Sequence, residues 1–348
     1  MNLSICIPSN RPLAESRQTM ESALALTQFE GIEVAVSDNS GDEQKETYFK
    51  ERASPAVRYM RSDGADARRN WQYVRNLSTG KYVSIVSDDD LVLALPGANL
   101  AELHIPPGAI GVRPQMLMYT KGQGLYSLTN FAVTGPRAID RIKDYFAKNG
   151  GANTTIFSAF RRDLICDVMD LNANFHPIPG GGYQDWPMVL GLLSSGEVAA
   201  HEGLAYVYNN SNWLSAAQIE DKIESQFVAI GLPGRTRILV LLLTGIDAFI
   251  LIARESSNVA SEEKLEAASY TLLQYLHAFA RDLPSVMSAP ETSDSQVAAL
   301  NNMVASLSSP VDALVEGIRV IDQFLPGYGD KYHAYFRQAV GIDLLPRV

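Results

Sequence analysis

The sequence predicts an α/β protein: a mostly parallel sheet flanked by helices, followed by a helical region. Three observations carry this. Over residues 1–100, short apolar runs alternate with helical periodicities at the spacing of strand–helix–strand units. The strand-like run Tyr82-Val83-Ser84-Ile85-Val86 ends abruptly in Ser87-Asp88-Asp89-Asp90. From about Ser215 onward the pattern turns to long helical periods.

Leu3–Ile7 is a short apolar run closed by Pro8, as a buried strand would be. Leu13–Thr27 reads as a helix with Ala14, Met20, Ala23 and Leu24 roughly on one face. Ile32–Val36 is a second strand, and Ser37-Asp38-Asn39-Ser40-Gly41-Asp42 is a loop signal. Glu43–Arg52 is polar and helical, Val57–Arg61 a third strand, Ala65–Leu77 a helix and Tyr82–Val86 a further strand. Beyond residue 100 the pattern is less regular. Pro106-Pro107-Gly108 and Lys121-Gly122-Gln123-Gly124 mark turns, and Thr154–Phe160 is expected to be a strand. Gly180-Gly181-Gly182 begins a loop ahead of a helix that runs to about Ser194, and Val198–Asn209 contains a strand. In the helical region Pro233, Pro284, Pro290 and Pro310 are read as breaks. The expected domains are 1–214 and 215–348.

The bulk composition narrows the class. The chain has 348 residues, 46% of them hydrophobic, and a net charge of −10. That balance argues against nucleic acid as a partner. Two cysteines make no disulfide framework, so a reducing, cytoplasmic setting is the expectation. Cys6, inside an apolar run, is expected to be a small buried hydrophobe. The opening Met1-Asn2-Leu3-Ser4 has no basic region and is not read as a signal peptide. Ile238–Ile252, interrupted by Thr244, Gly245 and Asp247, is read as a core helix rather than a membrane span.

Three adjacent carboxylates repel and raise one another's pKa. Hard divalent cations, which take oxygen ligands and bridge to phosphates, relieve that repulsion. Carboxylates at the C-terminal end of a strand also stand where open α/β sheets bind ligands. A metal–phosphate site and a solvated acidic turn both fit these three residues alone.

Further motifs fall in order along the chain. Ser4-Ile5-Cys6-Ile7-Pro8-Ser9-Asn10-Arg11-Pro12 resembles the first strand and loop of family 2 glycosyltransferases, whose fold is the GT-A nucleotide-sugar-binding sheet. Val36-Ser37-Asp38-Asn39-Ser40 is similar to that family's acidic loop. Gly64-Ala65-Asp66-Ala67-Arg68-Arg69-Asn70-Trp71 resembles its next helix. Ser87-Asp88-Asp89-Asp90 resembles its metal motif, and Phe160-Arg161-Arg162 with Gln184-Asp185-Trp186 its acceptor-side segment. The likeness spans about residues 1–213.

The resemblance implies roles position by position. Pro8 and Ser9 would pack around the nucleotide, Asp38 would accept a hydrogen bond from the base, and Arg69 would lie near the nucleotide, with Arg68 as a substitute. Asp89 and the following Asp90 would hold Mn2+ or Mg2+, with Asp88 beside the nucleotide. Asp185 would be the general base of an inverting transfer. Each position also has a plain structural use: Asp38 in an Asx turn or helix cap, Asp185 as a cap of the helix at Trp186-Pro187, the arginines on a solvated face. Three departures stand out. Ser87 replaces the first aspartate of the motif, Gln184 replaces the more usual glutamate, and Tyr206–Trp213 contains no histidine to complete a metal shell. His176 and His201 are read as satisfied or surface histidines rather than ligands.

The implied activity is metal-dependent transfer of a sugar from a nucleotide sugar, a UDP-sugar first, to a hydroxyl of a glycan or lipid-linked saccharide in surface polysaccharide synthesis. The alternative is a non-catalytic nucleotide-sugar-binding or scaffold protein with an eroded site. The helical region could shape an acceptor cleft, form a homo-oligomer, or associate peripherally with the inner face of a membrane. A sugar nucleotidyltransferase would need a glycine-rich loop after the first strand, and Ser9–Leu13 has no glycine. A dinucleotide oxidoreductase would need G-x-G-x-x-G there.

Overall fold

The computed structural model describes residues 1–101, 103, 105–178, 180, 182–289 and 291–342. Gly181 of the glycine loop and Pro290 lie outside the described residues. The chain divides into two compact units. The first comprises Met1–Gly135, Asp144–Ala173 and Gly196–Ala216; the second comprises Pro136–Lys143, Asn174–Ser195 and Ala217–Val348. One boundary between the units falls after Ala216, and Pro136–Lys143 and Asn174–Ser195 group with the C-terminal helices.

The first unit is built on one mixed sheet. Its opening strands are β1 (Leu3–Ser9), β2 (Ile32–Asp38), β3 (Val57–Arg61) and β4 (Tyr82–Ile85), all mutually parallel in the order β3-β2-β1-β4. Between them run helices α1 (Leu13–Ala25), α2 (Glu43–Lys50) and α3 (Ala67–Leu77); α4 (Ala138–Lys148) and α5 (Arg162–Phe175) come later in the chain. Strands β1 and β2 are buried almost throughout, which is why they read as continuous apolar runs. Pro8 causes no loss of sheet bonding to β4, because that pairing ends at Cys6–Ile85. Cys6 is fully buried, as expected, and burial pushes its thiol up to about 12.

Beyond β4 the sheet becomes largely antiparallel. It continues through β5 (Leu91–Ala94), β6 (Ala109–Thr120), β7 (Gly124–Thr129), β8 (Ala159–Arg161) and β9 (Glu197–Asn209), in the order β4-β8-β6-β9-β5. Among the described residues, only β6 and β9 pair in parallel there. Strands β7 and β8 share one edge of β6, β8 at Gly111–Val112 and β7 at Met116–Thr120. The expected strand at Thr154–Phe160 is a correction. Thr154–Phe157 winds as a 3-10 turn, and extended structure begins only at Ala159. The apolar residues there are buried either way, so composition alone did not separate the two.

Local chemistry places the loops. Asp42 caps α2 by accepting from Gln44 N–H at 2.9 Å, and its other oxygen accepts from Leu13 N–H at 2.7 Å, so one carboxylate fixes the start of two helices. Asp66 caps α3 through Arg69 N–H at 2.7 Å, which moves the helix start two residues past the expected Ala65. At the opposite end of the strands, buried Glu33 holds Ser4 Oγ at 2.7 Å and the Thr79–Gly80 backbone. Gly80 is required there: a Cβ would lie 2.7 Å from Ser4 N.

The second unit is helical: α7 (Ala216–Ala229), α8 (Val240–Ala253), α9 (Ser261–Met287), α10 (Asp294–Ala305), α11 (Pro310–Phe324) and α12 (Tyr328–Val340), joined by α6 (Asp185–Leu193). Helix α8 and its lead-in are long and apolar enough to cross a membrane, yet Leu242–Ala253 are all buried among the neighbouring helices. Pro310 starts α11, as a first-turn proline should. Pro284 does not break its helix. It sits near the end of α9, which stops at Met287.

Candidate functional site

In the order β3-β2-β1-β4 the chain runs outward through β2 and β3, then returns past β1 to β4. The connections therefore diverge between β1 and β4. That crevice, outside the carboxyl ends of the strands, is where open α/β sheets bind ligands. The loop after β1 carries Ser9, Asn10 and Arg11. The loop after β4 carries Ser87, Asp88, Asp89 and Asp90.

These two loops are bonded to each other through Asp88. Its Oδ2 accepts from Ser9 Oγ at 2.7 Å, Asn10 N–H at 2.9 Å and Arg11 N–H at 3.0 Å. Its Oδ1 takes the Arg11 guanidinium. The same guanidinium donates through Nη2 to Asp89 Oδ2 at 2.9 Å. Asp88 is almost fully buried, whereas the side chains of Asp89 and Arg11 are 25% and 32% exposed.

The network continues inward. Lys45 of α2 is completely buried, and its Nζ donates to Ser9 Oγ at 2.7 Å, to Asp38 Oδ1 at 3.1 Å and to the Arg11 carbonyl. Asp38, 1% exposed at the end of β2, also accepts from Tyr59 O–H at 2.9 Å and Ser40 N–H at 3.1 Å. To meet a base, Asp38 would have to exchange these partners. Burial first, and the Asp38 charge second, drive the Tyr59 hydroxyl far above its usual pKa. The first turn of α3 is tied in by Asn70, whose side-chain amide donates to Ser9 O at 3.1 Å. Arg69, next to it, is exposed. Pro8 is half-buried in β1 opposite Ser37.

Asp90, expected beside a metal, is engaged elsewhere. It is 1% exposed, and its oxygens accept from Tyr206 O–H at 2.6 Å and Asn209 N–H at 2.7 Å, both on β9. Burial pushes its carboxyl up to about 7, with the neighbouring Asp89 charge a smaller contribution in the same direction. The side chains as placed do not fit a divalent cation. Asp88 accepts four hydrogen bonds, Asp89 shares the Arg11 guanidinium, and Asp90 is bonded to β9. Among the described residues no group of three or more His, Cys, Asp or Glu is arranged to hold a metal ion.

Asp185 belongs to the second unit and opens α6. Its Oδ1 accepts from Trp186 N–H at 3.1 Å, but Gln184 is the N-cap of α6 and its side chain makes no capping bond, so Asp185 is the first helical residue rather than the expected cap. Burial first, and then the Asp185 charge, raise the pKa of Tyr275 on α9. The helix that carries Asp185 is held at both ends. At its C-terminus, buried Arg141 donates to the carbonyls of Leu193 at 2.8 Å and Ser194 at 2.6 Å, and buried Arg254 donates to Gly191 O at 2.8 Å. At its N-terminus, Gln184 contacts the His176 ring at 3.0 Å, and His176 Nε2 donates to Asp247 Oδ2 at 2.8 Å. Asp247 is the single acid of the apolar α8 segment. His176 is thus a satisfied core histidine, as expected. His201 is half-buried and accepts backbone N–H bonds from Gly203 and Leu204.

Sequence reasoning missed Arg11 as a site residue and missed Lys45 altogether. The available signal for Arg11 was its place in the first loop at the carboxyl edge of a parallel sheet. For Lys45 there was none, because one lysine in a polar helix looks like any surface lysine.

No family model matches the chain, and no curated protein matches it. Among solved structures it is similar to S. aureus TarS 1–349 in complex with UDP, at 14% identity and a TM-score of 0.43, over 95% of this chain and 83% of that one. TarS 1–349 in complex with UDP-GlcNAc is matched at 13% identity and a TM-score of 0.40, over 91% and 90%.

Proposed function

We propose that this chain is a nucleotide-sugar-dependent glycosyltransferase. The single observation that supports the reading is the convergence of the β1 loop and the acidic β4 loop at the crevice where the strand order reverses. A nucleoside diphosphate at that crevice would meet Ser9, Asn10 and Arg11 from one side and Asp89 from the other. In the transfer, an acceptor hydroxyl oxygen bonds to the anomeric carbon as the bond to the β-phosphate oxygen breaks. The nucleoside diphosphate leaves with that electron pair, the hydroxyl proton goes to a carboxylate base, and the configuration inverts. The resemblance proposes Asp185 as that base. It also proposes a UDP-sugar donor, a glycan or lipid-linked acceptor in surface polysaccharide synthesis, and work at the cytoplasmic face of a membrane.

One observation favours a second reading, a non-catalytic nucleotide-sugar-binding or scaffold protein with an eroded site: the carboxylates of the acidic loop are engaged by protein partners rather than arranged for a divalent cation. Isothermal titration with UDP, GDP and dTDP, each with Mn2+ and with EDTA, tests the first reading. Saturable binding of one nucleotide is expected. No binding of any of the three under either condition would overturn it. Release of nucleoside diphosphate from the matching nucleotide sugar then separates enzyme from binder.

A further inference from the structure

We propose that Arg11 is the built-in cation of this crevice. On the reading that the crevice holds a nucleoside diphosphate, the Arg11 guanidinium carries the charge of that diphosphate, and binding does not require a divalent metal.

The observation behind this is where Arg11 sits. Its guanidinium bridges Asp88 and Asp89, the two carboxylates of the acidic loop that are not committed to β9. A cation is therefore already supplied by the chain at the point where a metal would have to enter. Asp88 offers a metal little, since all its hydrogen bonds come from Ser9, Asn10 and Arg11. The same bonds fix the arginine's backbone, and buried Lys45 holds the Arg11 carbonyl from behind. The arginine is thus aimed by the loop that carries it. A guanidinium has five N–H donors, more than its two carboxylate bonds use, in a planar fork that suits phosphate oxygens.

The local charges set the sign of a test. Arg11 with Asp88 and Asp89 sums to one negative charge. A diphosphate must therefore compete for the guanidinium with a carboxylate, and Asp89 is the exposed competitor. Removing the Asp89 charge should leave Arg11 held by Asp88 through Nη1, weaken the competition for Nη2 and tighten nucleotide binding. If a metal held by Asp89 carried the diphosphate, the same substitution should abolish binding. The two mechanisms predict opposite signs for one variant.

The experiment is titration of the full chain with UDP, GDP and dTDP in EDTA and in Mn2+, for wild type, Asp89→Asn and Arg11→Ala. Wild type is expected to bind one nucleotide equally well in EDTA. Asp89→Asn is expected to bind it in EDTA about three- to tenfold more tightly, and Arg11→Ala at least about tenfold more weakly. Circular dichroism checks that both variants are folded; should Arg11→Ala unfold, Asp89→Asn alone decides. Binding that needs Mn2+ and is lost in Asp89→Asn would overturn the proposal while leaving the transferase reading intact. No nucleotide binding by wild type in either condition would overturn both.

Discussion

Tyr206 donates its hydroxyl to Asp90 Oδ2 at 2.6 Å, tying the last strand of the sheet to the acidic loop that follows β4. Burial raises the Asp90 carboxyl from 3.8 to about 7. The folded protein therefore holds this proton over a range in which the unfolded chain has released it. The resulting stability is full below about pH 4 and is lost as pH rises through 7. Measured against Asp90→Asn, wild type should lose relative stability across that window. Tyr206→Phe removes a donor that favours the ionised form, so it should move the loss to higher pH. Thermal melts from pH 4 to 9 read both effects.

Lys45 and Asp38 form a buried ion pair at 3.1 Å. Lys45→Met should leave the Asp38 charge without its counter-ion and cost about 3–5 kcal/mol. Pairing it with Asp38→Asn should recover much of that loss. Urea unfolding of the two single variants and the double variant gives the coupling directly.

These charges also mark where sequence and structure part company. The strands β1–β4 and the helices between them were legible to within about two residues at nearly every boundary, because apolar runs and the loop signal at 37–42 punctuate them. The long strand β6 was not, since Ala109–Thr120 mixes Arg113, Pro114 and Gln115 into its apolar pattern. For the site, position could be read and partnership could not. Asp88, Asp89 and Asp90 are adjacent in sequence, yet their partners come from the β1 loop for the first two and from β9 for the third. Asp88 and Asp89 lie in a turn beyond β4 and Asp90 in the bend that follows, and nothing local names the residue each will meet.

His176 and Asp247 are buried together beside Gln184, at the start of α6. His176→Ala removes the partner of a buried acid and is expected to cost about 3–5 kcal/mol. Asp247→Asn can still accept from Nε2–H and should cost less. Hydrogen exchange should quicken first at the N-terminal turn of α6, and uniform quickening across both units would count against a local role.

Asp185→Asn tests the proposed base. Turnover should fall by about 10²–10⁴-fold, while nucleotide affinity should stay within a factor of about two. Equal loss of binding and turnover would reassign Asp185 to structure.

From Asp38 through Lys45 to Asp88, Arg11 and Asp89 the charges alternate in sign, with the neutral Ser9 hydroxyl between Lys45 and Asp88, and exposure rises only at the far end. The row is rigid at its root and exchangeable at its tip. Asp38 and Lys45 cannot change partners without opening the core, whereas Arg11 and Asp89 can trade theirs for an incoming group at the surface. An arriving anion would therefore find one hinged charge on a fixed mount, and the fold behind it would not need to move.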